Sequence, residues 1–256
     1  AAQVAALPGV VNVQADVIRY PQTDYGPAWI GAEGIWDGTT TGGLDGTMGE
    51  GVIVGILDTG LNMDHPSFAA TSPAPDSYTH VNPYGSGNYV GLCDSAPGTW
   101  VCNDKLIGYW IYTGETHEDT DGHGSHTGST TAGNPLPAGM ADLTPYAYSP
   151  AISGVAPHAN VIGYDVCDDD GGCPGAASIA ATDQTVLDGV DVINFSIGGG
   201  TSNPWTDAGS LAFLAASAAG VVPVTSAGNN GPGASTVGSP GDSPWMFTIG
   251  ASTHNR

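Results

Sequence analysis

Gly51-Val52-Ile53-Val54-Gly55-Ile56-Leu57 is an unbroken apolar run that stops at Asp58-Thr59-Gly60. A strand apolar on both faces belongs in the middle of a parallel sheet covered by helices on either side. Further along, apolar stretches alternate between two periods. Val161–Tyr164, Val190–Phe195, Val221–Val224 and Trp245–Gly250 predict strands. Between them, Ala176–Leu187 and the alanine-rich Ala208–Ala219, closed by Gly220, predict helices. In the first of these helices Ile179, Val186 and Leu187 share a face that Asp183 interrupts. Strand, helix, strand, helix, strand means right-handed crossovers, hence an α/β fold: a doubly wound, mostly parallel sheet with helices on both faces.

The first part of the chain is less regular. Val4–Val17 reads as a helix end, a Pro-Gly turn and a short strand. Tyr20–Trp29 reads as a Pro- and Gly-containing connector, which places a division near Gln22–Asp24. Residues 64–120 are rich in Pro, Gly, Ser, Asn and Asp and predict mainly loop, with Lys105–Ile111 as a strand. A helix is expected over Ser125–Ala132.

Charge narrows the classes of partner. Three Lys and Arg against 25 Asp and Glu give a formal net charge of −22 over 256 residues. Phosphate binding depends on Lys and Arg, so nucleic acid is a poor partner, and anionic membranes attract such a chain little. No apolar run approaches the roughly 20 residues that cross a bilayer. The four cysteines form two close pairs, Cys93/Cys102 and Cys167/Cys173, neither with zinc-site spacing. Two short disulfide loops would fit an oxidising, extracytoplasmic setting; free buried thiols are the other reading. Two acidic runs, Glu115–Asp121 and Asp168–Asp170, offer oxygen ligands suited to Ca²⁺ or simply a solvated acidic face, and neither matches an EF-hand loop.

Candidate chemistry gathers at three points. His123 stands between Gly122 and Gly124, which lets another backbone approach the imidazole closely, and histidine is the usual general base at neutral pH. Asp58 closes the first inner strand, where functional groups of open α/β sheets collect, and an aspartate there can orient an imidazole. It could equally cap the following turn. Asn229, in Gly228-Asn229-Asn230-Gly231, follows a later strand and could be a turn residue.

Taken together, Asp58-Thr59-Gly60 with Asp64-His65-Pro66, Gly122-His123-Gly124-Ser125-His126, Asn194–Gly199 and Ala227-Gly228-Asn229 resemble the successive motifs of the subtilisin-like serine proteases, over residues 25 to 250 or so. The resemblance implies a serine endopeptidase acting on protein or peptide substrates. Asp58 would orient His123, His123 would take the proton from a serine hydroxyl and pass it to the leaving amine, and Asn229 would donate to the oxyanion. Gly171-Gly172-Cys173 and Ser196-Ile197-Gly198 would be two backbone edges between which the peptide lies as an added strand. Ser226-Ala227-Gly228 would wall the pocket for the residue before the scissile bond, small and uncharged enough for a large apolar side chain. A bond between Cys167 and Cys173 would stiffen one edge. The chemistry would require neither metal nor other cofactor, and structural calcium occurs in many relatives.

The resemblance also implies secretion and a domain plan. Residues 1–23 would be the end of an inhibitory propeptide, itself a partner of the enzyme, and residues 24–256 the catalytic domain. Gly250–His254 resembles the place where larger members insert a protease-associated domain. One departure is clear: no Gly-Thr-Ser-Met-type serine motif follows Asn229, and Gly200-Thr201-Ser202 lies on the wrong side of it. The expectation is therefore a catalytic domain lacking its serine segment and inactive as it stands. A protease-like scaffold that binds peptides without cutting them is the alternative. A nucleotide-binding fold is disfavoured, since no Gly-x-Gly-x-x-Gly follows the first strand.

Overall fold

The computed structural model describes residues 25–95, 100–113, 116, 118–140 and 150–253. The segments read above as a propeptide end and its exit, up to residue 24, lie outside the described residues. The short helices α1 (Gly26–Trp29) and α2 (Ala32–Trp36) come first. α1 occupies part of what reads from sequence as connector: Pro27 sits in its first turn, where its missing N–H costs nothing.

Seven strands form one parallel sheet: β1 (Ile53–Asp58), β2 (Val90–Gly91), β3 (Leu106–Ile111), β4 (Asn160–Asp165), β5 (Val192–Phe195), β6 (Val222–Ser226) and β7 (Phe247–Ile249). Their spatial order is β2-β3-β4-β1-β5-β6-β7. The fold is thus the expected α/β doubly wound sheet. β1 lies at its centre, bonded to β4 on one side and β5 on the other, and every one of its residues is buried. From β1 the chain goes to the sheet edge at β2, returns through β3 to β4 beside β1, then crosses to β5 on the other side and runs outward to β7, so the order switches at the carboxyl ends of β4, β1 and β5. Such a switch is where open sheets place their ligands.

Among the described residues the other α-helices are α3 (Leu92–Ser95), α4 (His123–Ala132), α5 (Gly175–Leu187) and α6 (Ala208–Ala218), and Pro66–Phe68 forms a short 3-10 turn. The core divides by strand parity. Ile53, Leu57, Ile162, Tyr164, Ile193 and Phe195 pack with Ala177 and Ala181 of α5 and Phe213 and Ala216 of α6. Val54, Ile56 and Val161 pack with Leu61, Phe68 and Ala132 at the end of α4. Parity therefore turns Asp58, two residues beyond Ile56, toward the α4 face.

The face that α5 buries differs from the one its apolar residues suggest. Ala177, Ser178, Ala181, Thr182 and Thr185 are buried, whereas Asp183 is exposed and Leu187 is 79% exposed. Small residues win because they let the helix lie close to the sheet. The buried hydroxyls cost little, since Thr182 donates to the Ser178 carbonyl and Thr185 to that of Thr182, both at 2.7 Å. Asp183 therefore interrupts nothing. Helix α6 starts where Asp207 accepts a hydrogen bond from Ser210 N–H at 2.8 Å, an N-cap that fixes its entry.

Candidate active site

His123 opens α4, and the helix meets the end of β1 through glycine. A Cβ on Gly124 would fall 2.1 Å from the Gly60 carbonyl oxygen, and one on Gly128 2.8 Å from the Leu61 side chain. Only glycine allows this approach. The contact sets the imidazole over Asp58: His123 Nδ1 donates to Asp58 Oδ1 at 2.6 Å. The same oxygen accepts from Thr59 N–H at 2.9 Å, and Oδ2 accepts from Thr127 Oγ1 at 3.1 Å. A fully buried carboxylate with three donors is held in one place. Among the described residues His123 Nε2 bonds to no protein atom, and the side chain is 46% exposed. A neutral imidazole held in the Nδ1–H form has Nε2 available to accept a proton.

The surroundings are acidic. Asp165, the cross-strand neighbour of Asp58, is 2% exposed. Burial pushes its carboxyl up to about 7, helped by the negative charges of Asp169, Asp119 and Asp168 against one bond from Cys167 N–H. Burial likewise raises the Tyr109 hydroxyl, with Asp165 adding to it, and that hydroxyl accepts from Leu61 N–H at 3.1 Å.

Two cavities draw on residues at the carboxyl end of β5, the strand next to β1. One, of about 360 Å³, is lined by Asn194, Ser196, Ser226, Ala227, Gly228 and Asn229 among others. Asn229 is exposed at this rim, and Gly228 takes φ 82°, a left-handed conformation that glycine favours. The larger, of about 540 Å³, is lined by Cys173, Ile179, Phe195, Ile197–Gly200 and Phe213 among others. Of the two predicted backbone edges it draws in Cys173 from one and Ile197 and Gly198 from the other, whereas Gly171, Gly172 and Ser196 are not in its lining. Gly171 and Gly172 stand exposed in the loop after β4, which the Cys167–Cys173 disulfide closes. Within it Asp168 N–H bonds the Gly172 carbonyl at 2.6 Å and Gly171 N–H the Asp168 carbonyl at 2.8 Å. Cys93–Cys102 is the second disulfide.

Two residues of consequence went unread in the sequence. Thr59 reads from sequence as part of a turn. Asp119 lies in the run that offers a solvated acidic face, yet it is 8% exposed and its carboxylate faces the start of α4. Its spacing four before the histidine was the available signal. Among the described residues no group of three or more His, Cys, Asp and Glu is arranged to hold a metal ion, and no helix is long and apolar enough to cross a membrane.

Residues 49–256 match the model of the subtilase family, and the chain belongs to that family. It is 36% identical to subtilisin-like protease SBT1.4 of Arabidopsis thaliana over 99% of this chain and 33% of that protein. It is 32% identical to subtilisin-like protease SBT2.2 of the same plant over 96% of this chain and 30% of the relative. The chain thus spans about a third of the length of these curated relatives.

Proposed function

We propose that this chain carries the aspartate, the histidine and the oxyanion amide of a secreted serine endopeptidase, whose nucleophilic serine comes from sequence beyond the 256 residues. The observation that carries the reading is the 2.6 Å bond between the half-exposed His123 and the fully buried Asp58. Asp58 fixes the ring with Nδ1–H toward itself and stabilises the imidazolium that forms when Nε2 takes the serine proton. His123 then returns that proton to the leaving amine. Asn229 donates its side-chain amide to the oxyanion, where charge develops only in the transition state. No step requires a cofactor.

Substrate is a peptide lying as an added strand between the 171–173 and 196–198 edges. Ser226, Ala227 and Gly228 wall the smaller cavity for the side chain before the scissile bond. An apolar side chain further along the peptide fits the larger cavity over Phe195 and Phe213. The two disulfides support an oxidising, extracellular setting. Residues 1–23 are assigned to the end of an inhibitory propeptide and residues 24–256 to the catalytic domain.

The test compares the 256-residue chain with the product of its parental reading frame on a chromogenic peptide. The short chain should hydrolyse it at background rate, since a triad lacking one member retains little activity. The longer product should turn it over, and His123→Ala should abolish that. A clear rate from the short chain, lost in His123→Ala, would overturn the missing-serine assignment. Peptide binding by the longer product without cleavage would favour the non-catalytic alternative.

A further inference from the structure

We propose that Thr59 and Asp119 are positioning residues, a clamp that locks the start of α4 to the end of β1 and so keeps His123 in register with Asp58. The proposal rests on the peptidase reading above. Asp119 uses both carboxylate oxygens: Oδ1 accepts from Thr59 Oγ1 and from Gly122 N–H, each at 2.8 Å, and Oδ2 accepts from Ser125 N–H at 2.7 Å. Thr59 Oγ1 in turn accepts from Gly124 N–H at 2.8 Å.

The first N–H groups of a helix have no partner within it. Gly122, at the N-cap with φ 89°, has no side chain to supply one. Here two side chains from outside the helix take the N–H groups of residues 122, 124 and 125. These bracket His123 in sequence, so the backbone carrying the imidazole is tied down on both sides. A carboxylate suits this place, because the helix start carries partial positive charge and the bonds to an ionised acceptor are strong.

Thr59 is the joint of the clamp. Its backbone N–H holds Asp58 Oδ1, the oxygen that meets His123, while its hydroxyl holds the backbone next to His123. One residue therefore connects both members of the pair. Neither Thr59 nor Asp119 touches the reacting atoms. Each acts through the imidazole, by restricting where it can sit.

The readout is the His123 ring in the ¹⁵N-labelled 256-residue chain: its low-field Nδ1–H proton and the nitrogen shifts that report the tautomer. Thr59→Val and Asp119→Ala should broaden or remove that proton and mix the tautomers, and Thr59→Ser, which keeps the hydroxyl, should restore the wild-type signal. The double variant should fall short of the sum of the two single effects, because both lose the Thr59–Asp119 hydrogen bond. In the longer product each single variant should lower kcat by about 10- to 100-fold with KM unchanged. If Asp119→Ala fails to fold, Thr59→Val carries the test. A folded Thr59→Val with an unmoved His123 signal would overturn the proposal, as would failure of Thr59→Ser to restore it or strictly additive effects. The ring signals are read without turnover, so this outcome is separate from that of the hydrolysis test.

Discussion

Among the described residues two histidines bond to a carboxylate through Nδ1 at 2.6 Å, and the two pairs are built inside out from each other. At the carboxyl end of the sheet, Asp58 is fully buried while the His123 side chain is 46% exposed. Just before β4, His158 is 8% exposed and its partner Glu50 is 42% exposed. The His158 ring is committed on every side. Its Nε2 faces both oxygens of Asp76 at 3.3 Å, and it stacks on Tyr78 with centroids 3.8 Å apart. Glu50 feels burial pushing it up, but hydrogen bonds from His158, Thr47 and Met48 prevail and hold it at about 2. A short imidazole–carboxylate bond therefore does not define an active site. What matters is which partner is buried and whether the second ring nitrogen is left for a reactant.

The largest test of this contrast is Asp58→Asn in the longer, serine-bearing product. It should lower kcat by about 10⁴-fold, because an amide can hold the ring in the wrong tautomer, while the melting temperature moves little. A fall below tenfold would make the first pair as structural as the second. The mirror experiment is His158→Leu, which leaves Glu50 and Asp76 facing an apolar side chain. Thermal unfolding should show a loss of about 2 kcal/mol, from the lost hydrogen bonds of the buried ring, with kcat/KM unchanged. A matching loss of activity would erase the distinction.

Asp165 sharpens the contrast from the stability side. Its folded pKa of about 7 lies above its ordinary 3.8, so its contribution is fully present below 3.8 and is lost as pH rises through 7. Asp165→Asn should therefore stabilise the protein by about 2 kcal/mol at pH 8, with the gain vanishing at low pH. The smallest effect belongs to Glu50. With its folded value at about 2 against an ordinary 4.5, its contribution is present above 4.5 and is lost as pH falls toward 2. Glu50→Gln should flatten the acid limb of a stability–pH curve in that window by less than about 1 kcal/mol, since the side chain is partly exposed.

Much of this arrangement was legible in the chain itself. Unbroken apolar strands and Ala-rich helices are strong periodic signals, and they predict the sheet and the two helices α5 and α6. The motifs around Asp58 and His123 mark the residues the structure brings together. Other features were hidden for physical reasons. Helix α5 buries alanine and threonine rather than its larger residues, because closeness to the sheet outweighs hydrophobicity. β2 is two residues long and carries no period. Asp119 lies in an acidic run whose composition suggests solvent, and only tertiary contacts reveal a carboxylate spending both oxygens on a helix start. The larger cavity draws on residues as distant in sequence as Cys173 and Pro240, a proximity no local pattern encodes.

The central position of β1 has an outcome for how this protein fails. A strand bonded on both sides gives up its amide protons only when the whole sheet comes apart, whereas rim elements such as α1 and α2 open piecemeal. Asp58 closes one such strand, bonded on both sides. Heat or denaturant should thus leave the aspartate's setting intact until the cooperative transition and then abolish it in a single step.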